Sequence, residues 1–74
     1  MNLKGISVKA IIYPHGEYHL GKAVPIIDEG SFYRIDGTHI LDKHKIKEVV
    51  QEEGRIKIVM TDKLVILEVS GNPK

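Results

Sequence analysis

Four histidines are the residues of this sequence best suited to metal or acid–base chemistry: His15, His19, His39 and His44. Glu17 stands between the first two, and residues at positions i, i+2 and i+4 of a strand point to the same face of a sheet. On a strand, His15, Glu17 and His19 would therefore form a set of two imidazoles and one carboxylate, which zinc and iron accept. Pro14 and Gly16 predict a turn instead, which removes the shared face. The sequence therefore predicts a chain without metal or cofactor. If a metal does bind, His15, Glu17 and His19 are the candidate ligands.

The remaining side chains offer little for catalysis. The chain has no cysteine, which excludes disulfides, thiolate nucleophiles and zinc bound by cysteine. No serine lies in a Gly-x-Ser-x-Gly setting, and neither a phosphate-binding glycine loop nor a His-Glu-x-x-His motif occurs. The adjacent carboxylates of Asp28 and Glu29 would point to opposite faces of a strand and could not act on one bond. We therefore expect a protein that is not an enzyme.

Basic residues in the second half of the chain could contact phosphates, while aromatic side chains stack on bases. The basic candidates are Lys43, Lys45, Lys47, Arg55 and Lys57, and the stacking candidates are Tyr18, Phe32 and Tyr33. Affinity for nucleic acid comes largely from phosphate neutralisation, whereas the formal net charge of this chain is only +1. Glu48, Glu52 and Glu53 also interrupt the basic stretch. Nucleic-acid binding is therefore an alternative hypothesis rather than the first one.

The elements that position these residues are predicted to be strands. The chain of 74 residues contains 11 isoleucines and 7 valines but only 2 alanines. Side chains branched at Cβ lose rotamer freedom in a helix and pack well on a sheet, whereas alanine is the best helix former. We expect one small β domain over residues 1–70 and a frayed tail over residues 71–74.

Alternation of apolar and polar residues predicts the individual strands. They cover residues 6–13, 18–27 (with bends at Gly21 and Pro25), 31–36, 55–60 and 64–69. Strict alternation in the first strand places Val8 and Ala10 on one face and Ile11 and Tyr13 on the other.

Residues 42–54 are open to two interpretations. Asp42 could cap a short helix that Gly54 ends, and the lysines and glutamates between them suit a helix. Val49 and Val50, followed soon after by a glycine turn, favour a strand that pairs with residues 55–60.

The segment GSFYRIDGTHILDKHKIKEV, residues 30–49, resembles the late strands of an SH3-like barrel, in which an aromatic strand is followed by a turn and a short closing strand. The resemblance concerns architecture alone. Together with the turns predicted at residues 14–16 and at Gly54, this resemblance predicts a small all-β fold. This fold is either an SH3-like barrel or a bent antiparallel meander of five to six strands, with room for one short helical segment near residues 42–53.

The last predicted strand is apolar on both faces. One face of a sheet in so small a domain normally meets water, so either a barrel closes over both faces of this strand or a partner covers one of them. The second face of the first strand poses the same question. The candidate interface residues are Leu64, Val65, Ile66, Leu67 and Val69, with Ile11 and Tyr13.

These features together predict a small non-catalytic binding module, regulatory or accessory, that acts through a protein–protein or self-association surface. A homodimer formed through residues 64–69 is the most specific version. Nucleic-acid binding is the first alternative, and metal or small-ligand binding through the histidines is the second. No apolar run exceeds four residues, and the first residues lack a signal-peptide pattern. We expect no membrane partner and a cytoplasmic location.

Overall fold

Strands make up most of the structure, a computed structural model that describes residues 2–69. Eight strands lie within these residues: β1 (Ser7–Tyr13), β2 (Gly16–Pro25), β3 (Ile27–Asp28), β4 (Phe32–Ile35), β5 (His39–Asp42), β6 (Ile46–Glu52), β7 (Arg55–Met60) and β8 (Leu64–Val69). A single turn of 3-10 helix, Lys43–Lys45, connects β5 to β6.

The strands form two antiparallel sheets. The larger sheet has the order β2-β1-β8-β7-β6, and the smaller has the order β3-β4-β5. The chain enters the smaller sheet at Ile26, between β2 and β3, and returns through the 3-10 helix. The predicted small all-β fold is confirmed. Within residues 2–69 the sheets do not join into a closed barrel, so the bent meander describes the architecture, with eight strands rather than five or six.

Two local features account for the additional strands. The predicted strand over residues 18–27 is divided because Ile26 is buried and its N–H donates to the carbonyl of Ile6 at 2.9 Å. β5 is a further strand, which pairs with β4 across a turn at Asp36 and Gly37. Both residues of that turn have positive φ, 54° and 73°, a conformation that an Asp-Gly sequence adopts readily.

Residues 42–54 combine the two interpretations. Asp42 caps a helix of only one turn, in which its carboxylate accepts a hydrogen bond from the His44 N–H at 2.9 Å. The chain then extends into β6, which pairs with β7 through a turn at Gly54, where φ is +76°. The short helical segment is therefore residues 43–45, and the strand is residues 46–52.

A β-bulge in β1 changes the faces that its apolar residues occupy. The pairing of β1 with both β2 and β8 shifts register between Val8 and Ala10. Because Lys9 is the extra residue, Val8 and Ile11 both point into the core, and each is 0 % exposed. The expectation that they lie on opposite faces is therefore wrong at this bulge.

The core lies between the two sheets. Its buried members are Leu3, Val8, Ile11, Ile26, Tyr33, Ile35, Leu41, Ile56, Ile58, Met60, Val65 and Leu67. None of the charged residues in the described part of the chain is buried. β8 is the central strand of the larger sheet, and its outer face carries Leu64 and Ile66, which are exposed and half-buried.

No helix within residues 2–69 is long and apolar enough to cross a membrane. The predicted frayed tail, residues 71–74, lies outside the described residues.

Candidate binding groove

Three turns meet at one end of the molecule. β1 and β8 are antiparallel neighbours, so the turn at residues 14–15 that follows β1 lies beside the turn at residues 61–63 that precedes β8. The turn at residues 36–38 of the smaller sheet reaches the same end, where His39 contacts Tyr13. Side chains on these turns and on the adjoining strand ends form the candidate site, since turns held by a rigid sheet commonly carry binding residues.

The first of these turns follows from its sequence. In Tyr13-Pro14-His15-Gly16, proline fixes φ near −65° at the second position and glycine suits the fourth. Tyr13 pairs with Gly16, which leaves a two-residue connection. Tyr18 lies opposite Ile11 in the β1–β2 pair, so it shares the inner face of the sheet with Ile11 and Tyr13.

Four rings pack against one another at this end, and we call them the ring cluster: Tyr13, His15, Tyr18 and His39. The Tyr13 ring stacks on those of His15 and His39, with centroids 5.2 and 5.8 Å away. Tyr18 meets the other three rings edge-on at 5.2 to 5.8 Å. Rings at these separations attract one another through their quadrupoles. The ring cluster therefore connects the β1–β2 hairpin of the larger sheet to β5 of the smaller one.

Two hydrogen bonds join members of the ring cluster. The Tyr13 hydroxyl lies 3.0 Å from Nδ1 of His39, and the Tyr18 hydroxyl lies 3.1 Å from Nε2 of His15. Burial, and to a smaller extent the neighbouring Tyr18, raise the pKa of the Tyr13 hydroxyl above its ordinary value. That hydroxyl is neutral near pH 7 and serves as a hydrogen-bonding group rather than as a base.

The ring cluster lines an open groove of about 640 Å³, which we call the ring groove. Thr38, Ile40 and Lys63 complete its lining. Tyr18 and Ile40 are 42 % and 48 % exposed, and Nζ of Lys63 lies 5.6 Å from the centroid of the Tyr13 ring. The groove thus offers aromatic faces, an aliphatic side chain and an ammonium group, and none of its lining residues is a carboxylate.

The three candidate metal ligands do not converge. His15 contacts Tyr18 in the ring cluster, whereas Nε2 of His19 lies 3.2 Å from Oε1 of Glu17 on the other face of β2. Across residues 2–69, no group of three histidine, cysteine, aspartate or glutamate side chains is placed to hold a metal ion.

Three of the predicted interface residues lie in the core: Ile11, Val65 and Leu67, each 0 % exposed. Their side chains point toward the smaller sheet, which covers them, so they offer no surface to a partner. The bulge in β1 explains the position of Ile11, and the central place of β8 explains the other two.

The other predicted interface residues divide between two surfaces. Val69 is half-buried against the core. Leu64 and Ile66 lie on the outer face of the larger sheet, where Leu64 is 41 % exposed. Tyr13 belongs to the ring cluster. The seven residues therefore do not form one continuous surface.

Four of the five basic residues proposed for phosphate contacts are ion-paired. The nitrogen–oxygen distances are 2.8 Å for Lys43 with Asp28, 3.8 Å for Lys45 with Asp62, 3.3 Å for Arg55 with Glu68, and 3.5 Å for Lys57 with Glu52. Lys47 lines a second, smaller depression of about 390 Å³, which Glu48 also lines. These basic residues are interleaved with carboxylates and do not form a uniformly basic face.

The predicted stacking residues lie in different environments. Tyr33 is 6 % exposed and belongs to the core, so its faces are not available to a base. Phe32 is half-buried, and the guanidinium carbon of Arg34 lies 5.4 Å from its ring centroid. Tyr18 is exposed, and it lies in the ring groove.

The ring groove unites residues from three separate hypotheses: Tyr13 from the interface, Tyr18 from the stacking set and His15 from the metal set. The sequence marks His39 only as one of four histidines, without a partner, and it does not single out Ile40 or Lys63. Turn signals at residues 36–37 and 61–63 were the available clue. The strand order that brings these turns together cannot be read from the turns themselves.

Comparison with protein-family models, with curated proteins and with solved structures finds no match to this chain.

Proposed function

We propose that this chain is a small non-catalytic protein-binding module and that a segment of its partner docks in the ring groove. The observation that carries the proposal is the groove lined by the ring cluster, in which His15 and Tyr18 are exposed, and by the exposed residue Ile40. Tyrosine supplies a large contact area with few rotatable bonds, which is why it is enriched at protein interfaces.

The exposed side chains contribute little to the core. Tyr18 and Ile40 leave 42 % and 48 % of their surfaces in water, and neither belongs to the buried cluster between the sheets. Both line the ring groove, and exposed apolar residues at one groove commonly mark an interaction site. A partner that covered them would remove this apolar area from water, which stabilises a complex.

The distribution of charge favours a protein over a nucleic acid as the partner. A nucleic-acid groove needs several free cations along the path of the backbone. Four of the five proposed cations are already within 4 Å of carboxylates, and Lys63 is the lysine that lines the ring groove.

The two edges of the larger sheet favour a different protein over a second copy. Between the pairs Val8–Val24 and Ala10–His19, β1 has one residue and β2 has four, so the edge strand β2 bulges outward. Edge strand β6 has its own register shift between Ile46 and Glu48. Bulges of this kind disfavour edge-to-edge pairing at these two strands.

A peptide-display selection with mapping by NMR tests the proposal. Random peptides are selected on the wild-type chain, and the enriched ones are titrated into isotope-labelled protein. We expect amide shifts at residues 13–18, 38–40 and 63. Tyr18→Ala and Ile40→Ala should each weaken binding about tenfold or more, as truncation of a central apolar contact does. Ile27→Ala is the matched control, because Ile27 is 51 % exposed but does not line the groove.

Two outcomes would reject the proposal. One is that the selection on the wild-type chain enriches no peptide that is absent from a parallel selection on the Tyr18→Ala variant. The other is that the shifts lie on the outer face of the larger sheet, around Ile66, and that Ile27→Ala weakens binding as much as Ile40→Ala does.

A further inference from the structure

We infer that the partner segment that docks in the ring groove is acidic, with an aspartate or glutamate side chain placed beside an apolar one. This inference rests on the proposed function. The groove is lined by the ammonium group of Lys63 and by the imidazole rings of His15 and His39, and no carboxylate lines it. A partner carboxylate in the groove would therefore meet the Lys63 ammonium and no opposing carboxylate.

The two carboxylates next in sequence to groove residues, Glu17 and Asp62, pair elsewhere. Oε1 of Glu17 lies 3.2 Å from Nε2 of His19, on the face of β2 opposite to that of Tyr18. Oδ2 of Asp62, next to Lys63 in sequence, lies 3.8 Å from Lys45. Within residues 2–69, Lys63 takes part in no ion pair. Its ammonium instead lies over the ring of Tyr13 at cation–π distance.

The arrangement of charge also selects among possible occupants. A second copy of this chain docked groove against groove would place its own Lys63 near that of the first, and like charges at close range oppose association. A single-stranded nucleic acid would find stacking rings but only one lysine to follow its backbone. An acidic peptide segment needs one or two anionic side chains and one apolar side chain, which the ring groove can accommodate.

The test compares peptides that differ only in charge. Peptides are selected in parallel on the wild-type chain and on a Lys63→Glu variant. The wild-type pool should be enriched in acidic residues over the input library, and the variant pool should lose that enrichment. Replacing the acidic residues of a wild-type binder by their amides should raise its Kd roughly two- to fivefold for each charge removed, the range of an exposed ion pair. Lys22→Glu is the control, because it makes the same charge change in β2 outside the groove.

The outcomes separate this inference from the proposed function. In one outcome, the selected peptides bind in the ring groove but are not enriched in acidic residues, and their amide versions bind equally well. This outcome overturns the inference and leaves the proposed function standing. Absence of groove binders overturns both. Single-stranded oligothymidylate is the competitor that tests for nucleic acid. If it displaces the peptides at physiological salt and its affinity falls steeply as salt rises, nucleic acid is the occupant and the acidic-protein inference is overturned.

Discussion

The hydroxyl oxygen of Tyr13 lies 3.0 Å from Nδ1 of His39, although 26 residues separate the two in the sequence. The contact joins the last residue of β1 to the first residue of β5, and so it connects the larger sheet to the smaller one. Because Tyr13 is half-buried and Tyr18 packs against its ring, this hydrogen bond is partly shielded from water. The ring groove is therefore also part of the link between the sheets.

Removal of the Tyr13 hydroxyl tests this link. Tyr13→Phe keeps the ring and its packing but deletes the hydrogen bond, so the free energy of unfolding should fall by about 0.5–1.5 kcal/mol. Tyr18→Phe is the matched control, since its hydroxyl bonds an exposed imidazole, and it should change stability by less than about 0.5 kcal/mol. Urea denaturation of both variants measures the free energy of unfolding. If both variants lose the same amount of it, the Tyr13–His39 hydrogen bond stabilises the fold no more than the exposed Tyr18–His15 bond does.

The raised pKa of Tyr13 predicts a loss of stability at alkaline pH. The folded chain holds this proton more tightly than the unfolded chain does, mainly because the hydroxyl is partly buried. The two states therefore bind it equally below the ordinary tyrosine pKa, and stability falls as the pH rises above that value. Absorbance of tyrosinate during an alkaline titration should include a late step that Tyr13→Phe removes. The prediction fails if the late step persists in that variant.

Leu67 and Ile66 are neighbours in β8 that face opposite sides of the larger sheet. Leu67 is 0 % exposed, so Leu67→Ala should lower the free energy of unfolding by about 2–5 kcal/mol, enough to unfold much of so small a domain. Ile66→Ala, on the outer face, should cost roughly 1 kcal/mol or less. Ile66→Lys should also fold, whereas Leu67→Lys should not. Circular dichroism with urea denaturation measures all four variants, and similar losses at both positions would contradict the assigned faces.

Much of the fold was predictable because strand periodicity and turn chemistry are local properties. The alternation over residues 55–60 and 64–69 locates β7 and β8, and the Asp-Gly turn at residues 36–37 lies where the sequence signals it. The bulge at Lys9 was not predictable, since it arises from the register of β1 against two neighbouring strands. That one residue moves Ile11 from a predicted surface into the core.

The candidate site was predictable only in part, because it depends on which turns share an end. Tyr13, His15 and Tyr18 come from one hairpin, and the sequence marks each of them as a candidate, although under three different hypotheses. His39 and Lys63 reach them through the packing of two sheets and the β1–β8 pairing, which are long-range features. The apolar character of β8 was ambiguous for a related reason: a central strand and an interface strand have the same composition.

Asp28 should make the stability of the fold depend on pH in the acidic range. Its Oδ1 accepts hydrogen bonds from Nζ of Lys43 and from the N–H of Gly30, each at 2.8 Å, and these lower the pKa of the carboxyl, Lys43 being the larger cause. The folded pKa is thus below the unfolded one. The stabilisation is present above the ordinary aspartate pKa and is lost as the pH falls through the folded value.

Two variants isolate this contribution. Asp28→Asn removes the titrating group, and Lys43→Met removes its main partner, so the stability difference from wild type should be largest at neutral pH and shrink toward acid in both. Urea midpoints measured across the acidic range would show this convergence. Differences that stay constant with pH would mean that the ion pair does not bias the protonation of Asp28.

Lys47 should protect the edge strand β6 against pairing with another copy of the chain. It lies at the register shift of that strand and lines the smaller depression with Leu3, Tyr33 and Val49. A lysine on an edge strand must be desolvated before a second strand can pair there, which opposes association. Lys47→Val should therefore produce concentration-dependent dimers in sedimentation velocity, whereas the wild-type chain should not pair through this edge. Lys45→Val makes the same charge change in the 3-10 helix and should not associate. If both variants associate to the same extent, loss of charge rather than exposure of the β6 edge is the cause.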